Sequence, residues 1–326
     1  MRAVVTGGAG FIGSHLIEAL ARRGADIVCV ERRGASRRWL ADIDLTWLEC
    51  GVDDEAALAR AFDGADVVFH LAGLTEARSA AEFHGVNTEG TERVLRAAAR
   101  HNGRAPHVIL MSSLAAIGPC KNGEPLRPET APRPLSAYGQ SKLEAEVLMH
   151  AYADRVPGTI VRLPSVYGPR ERGVLKFFKL VQRGIALGIG SWDRELSMIY
   201  VKDVVQGLLA IADRRVSGVP TYCLAHPEII SWRRFADTVG QALNRRPRLV
   251  SLPATAARVV ALGAELYAAL RGHAAVLNRG RVREMTQQRW VCDPTRAMRE
   301  LGFAPQFAIS RGIPETAVWY REAQWL

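Results

Sequence analysis

Through its first half the chain alternates short apolar runs with stretches in which apolar residues recur every three or four positions. The short runs, at Ala3–Thr6, Ile27–Val30, Val67–Leu71, His107–Met111 and Thr159–Leu163, predict strands. The periodic stretches, at Ile12–Arg23, Glu55–Phe62, Val86–His101 and Ala137–Ala153, predict amphipathic helices between them. Such alternation predicts an α/β fold built on a doubly wound parallel sheet, with ligands beyond the carboxyl ends of its strands where the strand order reverses. After Pro164 loops lengthen, and helices at Val174–Arg183, Val204–Ala212 and Trp232–Asn244 and a strand at Thr221–Ala225 are separated by Pro- and Gly-containing turns. We therefore expect a first unit over 1–165, with later segments returning to it, and a smaller lobe mainly over 166–326.

The first strand runs into Thr6-Gly7-Gly8-Ala9-Gly10-Phe11-Ile12-Gly13 and the first helix. Gly7 permits a tight turn, Gly10 lets backbone approach a pyrophosphate, and Gly13 lets helix pack closely on strand. The helix N-terminus then faces the phosphate charge. Strand, turn and helix in this order predict a Rossmann dinucleotide site, with Phe11 and Ile12 beside the cofactor. The second strand ends at Glu31-Arg32-Arg33. An acidic residue there bonds a ribose 2′-hydroxyl, whereas Arg32 or Arg33 suits a 2′-phosphate. Both NAD and NADP stay open, and the position of Glu31 at the strand end favours NAD.

Tyr138 and Lys142 stand four apart at the start of a helix introduced by Pro134-Leu135-Ser136 and so share one face. A lysine ammonium beside a tyrosine lowers its pKa and makes it a proton donor or acceptor for an alcohol oxygen. Ser113 leaves the preceding strand at the same sheet edge, where its hydroxyl can hold that oxygen; Ser112 reads as a turn or cap residue.

With these motifs in order, the chain resembles the extended short-chain dehydrogenase/reductases, the NAD-dependent epimerase/dehydratase superfamily. The resemblance extends to His70-Leu71-Ala72-Gly73, Asn87 with Gly90-Thr91, Val166-Tyr167-Gly168-Pro169, Tyr200-Val201-Lys202-Asp203-Val204 and Asp293-Pro294-Thr295-Arg296-Ala297. It implies that Ser113, Tyr138 and Lys142 are catalytic, Tyr138 and Lys142 also touching the cofactor. It gives Asn87 a supporting role and sets Leu71, Ala72, Gly73, Pro164 and Val166 beside the cofactor. The reaction implied is hydride transfer at a secondary alcohol or ketone.

Departures from the family narrow the chemistry. Leu114-Ala115 stands where sugar-nucleotide dehydratases carry Asp-Glu, so that dehydration is not expected. Ser165 and Leu196 replace an asparagine and an arginine that hold nucleotide diphosphates in the epimerases, although Arg194 is near. Gly51 replaces an aspartate that bonds adenine. Leu252-Pro253 and the apolar stretch Ala254–Leu270 resemble the 3β-hydroxysteroid dehydrogenase branch, where a helix here covers a greasy substrate or touches a membrane; a packed lobe helix explains the same pattern. A lipophilic hydroxysteroid-like alcohol is the favoured substrate, a nucleotide sugar for 4-epimerisation the alternative. Outside enzymes, the alternative is a non-catalytic NAD(P) sensor or RNA-binding protein, against which intact Ser113, Tyr138 and Lys142 argue.

Charge and cysteines add little. The net charge of +10 comes from arginines spread through the chain, so nucleic acid is not an expected partner. Five scattered cysteines with no C-x-x-C pair predict neither a metal site nor disulfides, and the chain runs from Met1 straight into a strand, so a cytoplasmic setting is expected. Finally, Val94, Leu95 and Ala98 on one helix and Leu143, Val147 and Leu148 on another read as outward apolar faces. Because related enzymes pair these two helices about a twofold axis, a homodimer is expected.

Overall fold

The structure, a computed structural model, describes residues 1–101, 104–271, 273, 275 and 277–326. Its first half runs β1 (Arg2–Thr6), α1 (Phe11–Arg22), β2 (Asp26–Glu31), β3 (Thr46–Glu49), α2 (Glu55–Phe62), β4 (Val67–His70), α3 (Ala80–Phe83), a π turn over His84–Glu89, α4 (Gly90–Ala99), β5 (His107–Ser113), α5 (Ala137–Ala151) and β6 (Gly158–Leu163). Beyond it come β7 (Ser165–Tyr167), α6 (Gly173–Gln182), β8 (Ile185–Ile189), β9 (Glu195–Leu196), β10 (Met198–Tyr200), α7 (Val201–Arg214) and β11 (Thr221–Cys223). The chain ends with β12 (Ile230–Ser231), α8 (Trp232–Ala242), β13 (Arg248–Leu252), α9 (Ala254–Arg271), α10 (Arg279–Met285), β14 (Arg289–Trp290), α11 (Thr295–Leu301) and α12 (Ile309–Glu322).

Seven strands form one parallel sheet in the order β11-β6-β5-β4-β1-β2-β3. From β1 the chain winds one way to β3, then crosses back to β4 and winds the other way. The crevice therefore opens above Thr6 and His70, where the glycine turn and Leu71–Gly73 leave the sheet. Leu16, Ile17 and Leu20 of α1 cover one face with Leu208 and Ile211 of α7. Leu58 and Phe62 of α2, Val94, Leu95 and Ala98 of α4, and Ala145 and Met149 of α5 cover the other. The lobe has its own core, in which Phe178 of α6, Phe235 of α8 and Tyr320 of α12 meet.

Several details differ from the sequence reading. Strands β7, β9, β10, β12 and β14 carry only two or three residues, too few for a period to show, and β3, β8 and β13, of four or five residues with partly exposed positions, were not read as strands. The helix expected over Val86–His101 begins as a π turn, which rotates Asn87 into the interior. Val94, Leu95 and Ala98 are fully buried against the sheet and are not an outward face. Of the apolar residues expected to face outward on α5, Leu148 packs on the core, leaving Val147, 60% exposed, and half-buried Leu143.

Helix α9 rests on the lobe through a narrow alanine face, Ala257 and Ala261, packed with Ile189 and Val282. Its outer side is apolar and open: Val259 is 72% exposed, Leu262 44%, Leu266 62% and Tyr267 62%. No described helix is long and apolar enough to cross a membrane.

Candidate active site

A cleft of about 1630 Å³ runs along the sheet's carboxyl edge. That exceeds the usual size of a pocket for one small ligand and leaves room for a dinucleotide together with a substrate. Phe11, Ile12, Leu71, Gly73, Pro164 and Val166 line it, as do Ser113, Tyr138 and Lys142.

The phosphate end is built for close backbone approach. Gly7 has φ +72°, and a Cβ there would lie 2.7 Å from the Ala72 nitrogen. A Cβ at Gly13 would run into the Gly7 carbonyl, so α1 starts directly over the turn. Glu31 reaches across, its Oε1 accepting the Ala9 N–H at 2.8 Å. Burial pushes its carboxyl up, against the pull of that N–H and of Arg32. Arg32 and Arg33 are exposed at the rim. The Asp53 carboxylate lies beside Gly51, in the space a side chain there would take. Glycine cradle, free helix terminus and strand-end carboxylate together fit a nicotinamide dinucleotide.

Behind the crevice a chain of hydrogen bonds fixes the β4 loop. His70 sits between Thr6 Oγ1 at 2.8 Å and Thr91 Oγ1 at 3.0 Å, and Thr91 donates to the Asn87 carbonyl at 2.6 Å. That assigns the His70 proton to Nε2. Burial, helped by Lys142, lowers its pKa to about 3, so the ring is neutral. Asn87 holds Leu74 by both backbone groups, Oδ1 accepting its N–H at 2.7 Å and Nδ2 donating to its carbonyl at 3.0 Å, and also donates to Ser141 Oγ at 3.0 Å. Asn87 lines no part of the cleft; its support consists of holding the loop that does.

Ser136 caps α5, accepting the Gly139 N–H at 3.0 Å. A Cβ at Gly139 would clash with the Ala115 carbonyl, so the first turn of α5 sits against the turn after β5. This brings Tyr138 to Ser113, which ends β5 and accepts the Ala115 N–H at 3.1 Å. The Tyr138 phenol is pushed up by burial; the nearby Ser113 hydroxyl pulls it down, Glu284 adds to the rise, and Arg281 opposes it.

Lys142 is hydrogen-bonded to the strand and not to the phenol. Its Nζ donates to the Met111 carbonyl at 3.0 Å, and burial brings its pKa down to about 8 while Glu146 holds it up. Ser112 is no turn residue: it is buried in β5 and donates to Glu146 at 2.5 Å. Two polar residues are held by burial: Glu146 is paired with Arg162, and Arg194, close in sequence to Leu196, is buried with Nε bonded to the Ser191 carbonyl at 2.7 Å and does not line the cleft.

Helices α9 and α10 contribute to the cleft's substrate side; the apolar stretch of α9 had been read as a candidate substrate cover, whereas α10 had not been read as a wall. Leu262 and Leu266 line the cleft, and so do Arg279, Arg281, Arg283 and Glu284. Its arginines are mostly paired: Arg78 with Glu82 at 3.3 Å, Arg279 with Glu265 at 2.7 Å and Arg281 with Glu76 at 2.8 Å.

Residues 3–225 match the model of the NAD dependent epimerase/dehydratase family. The chain belongs to that family. It is 30% identical over 322 residues to the ceramide reductase of Caulobacter vibrioides, covering 99% of this chain and 95% of that one. It is 28% identical to the 4-hydroxy-2-methyl-3-oxo-4-farnesyl-3,4-dihydroquinoline-1-oxide ketoreductase of Stigmatella aurantiaca, over 96% of this chain and 95% of the other. The fold superposes with a TM-score of 0.80 on the UDP-glucose 4-epimerase of Thermus thermophilus in complex with NAD, at 23% identity, 99% of this chain and 100% of that one. The family member described here is an NAD(P)-dependent oxidoreductase that transfers a hydride at a secondary alcohol or ketone. When bound, the nicotinamide cofactor supplies or accepts that hydride.

Proposed function

We propose that the protein reduces a ketone on a lipophilic, long-chain or sterol-like substrate, with NAD as the favoured cofactor. The observation that carries this reading is α9: Leu262 and Leu266 line the cleft and are also open to solvent, so an apolar tail can leave the site along the helix. The paired cleft arginines support it, because a nucleotide diphosphate needs free cationic donors. The names of the two relatives, a ceramide reductase and a farnesyl-quinoline ketoreductase, point the same way.

In this reading Tyr138 gives its proton to the carbonyl oxygen while Ser113 holds that oxygen, and Lys142 keeps a positive charge beneath the site. The protein works in the cytoplasm and touches a membrane surface through 254–270. A homodimer formed by α4 and α5 with their twofold mates would have Val147 and Leu143 as its apolar contacts.

The test incubates the protein with NADH or NADPH and a long-chain ketone, and separately with oxidised NAD and a nucleotide sugar. Cofactor oxidised in proportion to ketone consumed supports the reading. Interconversion of the sugar with the cofactor returned unchanged would replace it with a 4-epimerase.

A further inference from the structure

Glu284 is a carboxylate in the wall of the substrate cleft whose position the hydride transfer itself does not require. It comes from α10 and reaches the N-terminus of α5, where its Oε1 accepts a hydrogen bond from Ser136, two residues before Tyr138. Its Oε2 has no hydrogen-bond partner among the described residues. The neighbouring Arg281 is engaged with Glu76 at 2.8 Å and does not bond it. Glu284 also lies close enough to the reacting centre for its charge to push the Tyr138 phenol up. A carboxylate held by one oxygen in the wall of the cleft leaves the other available to accept from a bound donor.

We propose that Glu284 accepts a hydrogen bond from an O–H or amide N–H group that the substrate carries next to its carbonyl, so the site selects ketones bearing such a donor over plain ones. This rests on the lipophilic-ketone reading and adds to it the polar half of the substrate. A donor-bearing ketone satisfies the carboxylate as its carbonyl meets Ser113 and Tyr138. A ketone without the donor leaves a desolvated carboxylate oxygen unpaired, and sites of that kind discriminate strongly.

Two matched pairs of long-chain ketones test it: a hydroxymethyl ketone with its methyl ether, and an α-acylamino ketone with its N-methyl counterpart. The expected wild-type kcat/KM is at least about tenfold higher for the donor-bearing member of one pair. Glu284→Gln, which keeps the shape and an oxygen for Ser136 but puts an NH2 where the free oxygen was, should erase the ratio between the two members of the pair, chiefly through KM; that ratio is insensitive to any change at the Tyr138 phenol, which both ketones meet alike. Ser136→Ala, which cuts the tether and keeps the carboxylate, should retain the preference. Cofactor binding by fluorescence titration and circular dichroism verify that both variants fold. An active enzyme with no preference, or a preference that survives Glu284→Gln, overturns the inference and leaves the ketone reading standing. A wild type that reduces none of the four ketones overturns both.

Discussion

Glu146 accepts two hydrogen bonds from the guanidinium of Arg162, at 3.0 and 2.7 Å, in a pair whose side chains are only 3% and 8% exposed. The pair links α5 to β6, and Glu146 stands one turn below Lys142, whose charge it holds up. Removing one partner strands a buried charge. Glu146→Gln should therefore lose about 3–5 kcal/mol of stability, read from urea unfolding, whereas Glu146→Met with Arg162→Met should lose less. Equal unfolding midpoints for wild type and Glu146→Gln would mean that the pair contributes nothing.

Tyr138→Phe removes one oxygen and keeps the ring that packs on Phe83 at 5.8 Å. Turnover should drop by about 10²-fold or more while the cofactor still binds, as measured by fluorescence titration. A variant retaining more than a few per cent of wild-type kcat would remove Tyr138 from the acid-base role.

The pH profile follows from the phenol's surroundings. Ketone reduction needs the protonated phenol, so a raised pKa keeps the rate up at alkaline pH and lets it fall only as pH passes that value; alcohol oxidation needs the phenolate and rises over the same range. Ser113→Ala removes the hydroxyl that lowers the pKa and should move both limbs to higher pH. Glu284→Gln removes a charge that raises it and should move them lower, and Arg281→Met should act in the direction of Ser113→Ala. Profiles of kcat/KM that coincide in all four proteins would assign the limb to another group.

What was legible in the sequence was what is local along the chain. The glycine turn, and Tyr138 with Lys142, each lie within one turn of backbone, so spacing alone brings them together. Pairings between distant segments left no such trace. Glu284 reaches Ser136 across 148 positions, and Arg162 takes a glutamate that reads in the sequence like any surface residue. The outward face expected on α4 was misjudged although the spacing marks it: Val94, Leu95 and Ala98 recur at helical period opposite the charged Glu92, Arg93 and Arg96, and that apolar stripe covers the sheet, so Ala98 is core. Val147→Glu is the substitution that tests the dimer.

Glu31→Ala should move cofactor preference towards NADP, since it removes a carboxylate that repels a 2′-phosphate and leaves exposed Arg32 and Arg33 at the rim. The bond from the Ala9 N–H adds a second expectation: the turn loses a tether, so affinity for both cofactors should weaken. The ratio of kcat/KM for NAD and NADP measures the first effect and dissociation constants the second. An unchanged ratio would mean that Glu31 braces the turn and does not read the ribose.

Leu266 gives the sharpest test of membrane contact, because it is 62% exposed and α9 packs through alanines on its other side. Leu266→Asp should therefore leave folding intact. On a bilayer the same change puts a charge into the apolar boundary, where burying a charge is costly and burying leucine is favourable. The arginines that flank this face, Arg258 and Arg271, are exposed and suit an anionic headgroup layer. Wild-type protein should float with vesicles of anionic phospholipid, less with neutral ones, and Leu266→Asp should stay in solution. Leu266 also lines the cleft, so KM should rise for a long-chain ketone and hold for a short one. Flotation lost with an unchanged long-chain KM would separate the surface from the substrate path; flotation unaffected by the substitution, or absent in the wild type, would return α9 to the role of a lobe helix.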